Sequence, residues 1–141
     1  MLLNQGGDGG TTPTPTPAPV AVADATSLQF TVVDDTGTYN YYARNIGSEM
    51  DLAIQYVDAT SGFSIIFDGA EHTSWSNMTG TWEAGTFTSD WEQWYPLYEG
   101  HVDSLAHWTE GDWTSTDGKT TISGIAVNPT LDDSCFEVPT S

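Results

Sequence analysis

Basic side chains are nearly missing: Arg44 and Lys119 stand against 20 acidic residues, and the formal charge is −18. Two cations cannot neutralise a run of phosphates, so nucleic-acid binding is excluded. Attraction to anionic lipid headgroups fails for the same reason. No apolar run approaches the ~20 residues that a membrane-spanning helix requires. Cysteine occurs once, as Cys135, so neither an intrachain disulfide nor a Cys-x-x-Cys metal or redox pair can form. Beside Phe136, that thiol reads as a small buried hydrophobe. The chain also lacks a Gly-x-Ser-x-Gly elbow, a phosphate loop and a dinucleotide fingerprint. The reading is a non-enzyme.

Aromatic residues are abundant, with six Trp, six Tyr and five Phe. Disordered chains are poor in such residues because they bury too little apolar surface to offset ordering, so most of this chain is expected to fold. The one-signed charge suits a saline setting, where salt screens repulsion over a few Å. An acidic surface that binds Ca²⁺ or a basic partner is the alternative.

Residues 1–23 differ in kind from the rest. Gly6-Gly7-Asp8-Gly9-Gly10 is a flexible run, and Thr11 to Pro19 alternates Thr or Ala with Pro, which favours an extended polyproline spacer. This leader resembles those that follow the lipidated cysteine of prokaryotic surface lipoproteins. Leu2-Leu3-Asn4-Gln5 holds the place of the lipid-attachment motif, with Gly6 where the cysteine would stand. The resemblance implies a trimmed export signal, or another route outside, as for a virion component. Val20, Ala21, Val22 and Ala23 have strand character and are expected to add to a neighbouring subunit's sheet as an assembly arm.

Beyond residue 23, short alternating segments are separated by turn signals. Ser27–Val33 puts Leu28, Phe30 and Val32 on one face, and Asp34 to Gly37 turns the chain into Thr38–Ala43. Met50–Val57 and Phe63–Phe67 read as a hairpin around Asp58–Gly62. Asp117-Gly118 is the strongest hairpin signal, and Thr120–Val127 is the last clear strand, ended by Asn128-Pro129. No sustained helical period is read, and a short helix around Asp103–His107 is the best exception. The expectation is all-β: an antiparallel β-sandwich, Ig-like or jelly-roll-like, over residues 24–141, preceded by the extended arm.

The densest aromatic stretch holds Trp75, Trp82, Trp91, Trp94, Tyr95, Tyr98, Trp108 and Trp113. Asp90 to Pro96 mixes rings with polar residues and is expected to be a surface loop or edge. Such rings can fill a core, make a subunit interface, or stack on sugars as carbohydrate-binding modules do. His101 and His107, with Glu99 and Asp103, would share one face of a strand, or Asp103 and His107 would form an i,i+4 pair on a helix, and either arrangement could ligate a divalent metal, with Glu71 and His72 as recruits. Structural Ca²⁺ is a candidate at the oxygen-rich turns Asp34-Asp35, Asp112 to Gly118 and Asp132-Asp133, although Asp also favours turns on its own account.

The functional expectation is a structural subunit of an extracellular, cell-surface or virion assembly. Its partners would be further copies of itself or other surface proteins. A tethered carbohydrate-binding or adhesive module for polysaccharide, and a metal-dependent binding protein, are the alternatives.

Overall fold

The computed structural model describes residues 21–138. The fold is mostly β and antiparallel, as the spacing of strand and turn signals predicts. Its strands are β1 (Leu28–Val33), β2 (Thr38–Arg44), β3 (Asp51–Val57), β4 (Gly62–Asp68), β5 (Thr73–Ser76), β6 (Glu83–Ala84), β7 (Trp113–Thr114) and β8 (Thr121–Val127). They join in one continuous ladder of order β6-β5-β4-β3-β2-β1-β8-β7. Both edge strands are two residues long, and β7 pairs with β8 only at Thr121 and Ile122.

Period-2 alternation decides the faces. Leu28, Phe30 and Val32 of β1, Tyr41 and Ala43 of β2, Leu52 and Ile54 of β3, Ile65 and Phe67 of β4 and Ile122 of β8 are buried in one inner cluster. The turns between strands are held by aspartates. Asp34 Oδ1 accepts from the Thr36 hydroxyl at 2.6 Å and the Thr36 N–H at 2.8 Å. Asp58 Oδ1 accepts from the N–H groups of Thr60 and Ser61, both at 2.8 Å. The N–H bonds among these satisfy backbone donors that the ladder leaves free.

The layer over the inner face is completed by an α-helix, α1, from Phe87 to Ser104. The expected surface loop at Asp90 to Pro96 is therefore helical. Phe87, Trp91, Trp94, Tyr95, Tyr98, His101, Val102 and Leu105 recur at three- and four-residue steps and form one aromatic stripe. Pro96 and Gly100 lie on its exposed side, where they interrupt the pattern without entering the core. Phe87, Trp91 and Tyr95 stack along the helix with centroids 5.4 and 4.8 Å apart. The stripe meets the sheet edge-on, Phe67 against Trp91 at 5.3 Å and Phe63 against Trp94 at 5.7 Å, a geometry that ring quadrupoles favour. Buried Ser74 of β5 donates to Asp90 Oδ2 at 2.6 Å and ties the helix start to the sheet.

The expected docking strand takes another form. Val20 lies outside the described residues. Val22–Asp24 is a 3-10 turn, and Val22 is buried in this chain's own core. The valine gains more from that core than from standing free as a strand.

Candidate functional site

The eight aromatic residues singled out in the sequence do not form one surface. Trp94 and Tyr98 are buried, and Trp91, Tyr95, Trp108 and Trp113 are half-buried against the same inner cluster. Burial of the Tyr98 ring holds its phenol well above the usual range, with Tyr95 nearby adding to the shift. Trp75 and Trp82 lie elsewhere. Trp75 pairs with Ile66 and Ala84 on the outer side of the sheet, and Trp82 packs on Ala53, Ile66 and Phe136 there.

The histidine set is also dispersed: the segment is a helix that ends at Ser104, so the strand alignment does not form and His107 lies beyond the helix that would have paired it with Asp103. His101 points into the inner core, edge-on to Tyr41 at 5.3 Å and to Phe30 at 6.2 Å. Burial lowers its pKa, opposed by the charge of Asp34. Glu99, Asp103 and His107 are exposed. His72 stacks on Phe87 at 4.5 Å. Among the described residues, no group of three or more His, Cys, Asp or Glu is placed to hold a metal ion.

In each turn considered for Ca²⁺ one aspartate is engaged with groups of its own turn or with a cation. Asp34 is partly desolvated, which raises its pKa, but bonds from Thr36 and Gly37 outweigh this and hold it below the usual carboxylate range. Asp117 accepts from the Ser115 hydroxyl at 2.5 Å and the Lys119 N–H at 3.0 Å. Asp133 pairs with Arg44 at 2.6 Å.

The outer face of the sheet carries a different chemistry. Residues directly paired across the ladder share a face, so Thr121, Val33, Thr38 and Val57 form one row and Ser123, Thr31, Asn40, Gln55 and Ser64 the next. None is charged, in a chain of net charge −18. Thr31 donates to Asn40 Oδ1 at 2.7 Å within this surface. Val33 and Val57 are 44% and 47% exposed. Charged side chains on this face of β1–β4 are confined to one terminal row of Arg44, Asp51 and Asp68.

The same face holds a cavity of about 290 Å³. Its floor is β2, β3 and β4 at Tyr42, Ala53, Gln55, Ser64 and Ile66. Its walls are Trp82 and the C-terminal segment at Ser134, Cys135 and Glu137. That segment forms a 3-10 turn at Asp133–Phe136 and packs on β3 and β4. Cys135 is a free thiol of intermediate exposure, so the expected buried thiol is partly open. Of these lining residues the sequence reading singled out Trp82 and Cys135. Alternation along β2–β4 puts Tyr42, Gln55 and Ser64 on the non-core side, but no local signal brings the C-terminal segment across them. Compared with known proteins, the chain matches no family model, no curated protein and no solved structure.

Proposed function

We propose that the chain is a non-enzymatic structural subunit of an extracellular or virion surface assembly, joined to its neighbours through the uncharged outer face of the sheet. The observation that carries this reading is the segregation of charge. Copies that each carry −18 repel one another, so they can approach closely where carboxylates are missing. The row from Thr121 to Val57, with Ser123, Thr31 and Asn40 of the next row, offers such a surface, with exposed Val33 and Val57 as its apolar part. Asp34, Asp35 and Asp58 lie beyond one end of the strands and Asp68 near the other. An uncharged centre inside a charged rim is the usual anatomy of an interface. The Gly/Thr/Pro-rich leader serves as spacer or arm in the assembly, and the acidic exterior keeps it dispersed in salt.

Light-scattering mass and negative-stain imaging of the full chain at low and high salt test the proposal. Regular oligomers that strengthen with salt are expected. A Val33→Glu, Val57→Glu double variant should dissociate them, since each contact then sets carboxylates against carboxylates. A single-chain mass at every salt and concentration overturns the reading.

A further inference from the structure

We infer that the cavity beneath the C-terminal segment is a binding site for one residue of a neutral saccharide, stacked on Trp82. Its chemistry selects the ligand class in three steps. First, charge: the lining has no cation, and the chain's net charge is −18, so phosphates, sulfates and uronic acids are repelled. Second, hydrogen bonding: the polar ends of Tyr42, Gln55 and Ser64 make no side-chain hydrogen bond with another described residue, nor does the indole N–H of Trp82. Hydroxyls and an amide both donate and accept, the indole donates, and the carboxylate of Glu137 accepts. A ligand that meets them all must itself both donate and accept at several adjacent points, which is the pattern of vicinal hydroxyls. Third, shape: about 290 Å³ lies at the small end of the ~300–1,000 Å³ typical of ligand pockets. That is room for one six-membered ring with its substituents, its C–H face against the indole.

A small organic cation is the competing occupant, since it would meet two aromatic rings and Glu137. The polar floor of Gln55 and Ser64 gives a quaternary ammonium, which has no N–H, nothing to bond, and leaves the donors of both side chains without an acceptor. This site does not depend on the assembly surface: Val33 and Thr38 lie at the far end of the strands from Tyr42.

The single cysteine supplies the test, because a thiol reagent modifies Cys135 alone. Alkylation of Cys135 in the full chain is timed with and without neutral gluco-, manno- and galacto-oligosaccharides, at concentrations where light scattering shows one chain. At least one series should slow alkylation saturably. Trp82→Ala should weaken that protection about tenfold, the scale of losing one stacked ring. Gln55→Leu, at an exposed position, should weaken it while leaving the thermal transition in place. Leu97→Ala, on the exposed side of α1, should leave it unchanged. The inference is overturned if no neutral saccharide protects, if protection survives both cavity substitutions, or if only tetramethylammonium or an alkyl detergent protects. The assembly proposal fails or stands separately, on the light-scattering mass.

Discussion

The guanidinium of Arg44 lies over the ring of Phe136, 4.4 Å from its centroid. Its Nε donates to Asp51 Oδ2 at 2.9 Å and its Nη1 to Asp133 Oδ1 at 2.6 Å. Asp51 is 7% exposed and also accepts the Gly69 N–H at 3.1 Å. One of the two basic residues in the sequence thus pins the C-terminal segment to β2 and β3 and compensates a buried carboxylate.

Arg44→Met should therefore lower stability by about 2 kcal/mol in urea titration. A fully buried pair broken on one side costs ~3–5 kcal/mol, and the Arg44 side chain is 26% exposed, so the figure is discounted for solvent. Asp133→Asn should cost under ~0.5 kcal/mol, because that carboxylate is 79% exposed. A larger effect at Asp133 than at Arg44 would contradict the assignment.

Trp94 separates core from surface among the aromatics. It is 9% exposed and packs edge-on against Phe63, so Trp94→Ala should cost about 3–5 kcal/mol by denaturant unfolding. Leu97, three residues along and 47% exposed, should cost under ~0.5 kcal/mol on truncation. Equal costs would place the helix wrongly.

His101 makes stability depend on pH. Burial lowers its folded pKa below the unfolded value, with Asp34 opposing. Above the unfolded value of ~6.5 both states hold it neutral. As pH falls below that, the unfolded chain takes up a proton that the folded chain resists, and stability is lost. The groups facing it are Phe30, Tyr41 and Asp34. The urea midpoint of the wild type should fall relative to that of His101→Gln as pH drops from ~7 to ~5. A constant difference across that range would show that His101 titrates alike in both states.

Two glycines should respond with opposite sign. Gly100 lies within α1, and a Cβ there would meet nothing within 4 Å. Gly100→Ala should raise stability by about 0.5–1 kcal/mol, by removing unfolded-state freedom and a poor helix former. At Gly69, a Cβ would collide with the backbone of Glu49 and Met50, so Gly69→Ala should destabilise. Thermal melts of the two variants decide both signs.

Much of the sheet was legible because its signals are local. Side chains two apart share a face, so Leu28, Phe30 and Val32 announced the inner side of β1, and Asp34, Asp58 and Asp117 announced turns through bonds to residues two or three away. Strand limits expected at 27–33, 50–57 and 63–67 lie within one residue of β1, β3 and β4. Helix α1 was not legible. Its stripe consists of rings rather than aliphatic residues, and Pro96 and Gly100 break the exposed side that a reader scans for helix formers. The stripe forms because Phe63, Phe67, Phe30 and Tyr41 supply an aromatic surface for it to cover, and packing of that kind outweighs local propensity.

The chain's own sequence determined its charge, its dearth of cations, its antiparallel strands and the alternation that keeps carboxylates off the central rows of the sheet's outer side. These follow from composition and from neighbours a few residues apart. Tertiary structure alone decided that the tryptophans divide between two faces, that His101 enters the core, and that Cys135 and Glu137 come to stand over Tyr42, Gln55 and Ser64 beside Trp82. The last of these depends on Arg44 drawing a distant segment across the sheet, and a contact between residues far apart in the chain leaves no period or motif in either of them.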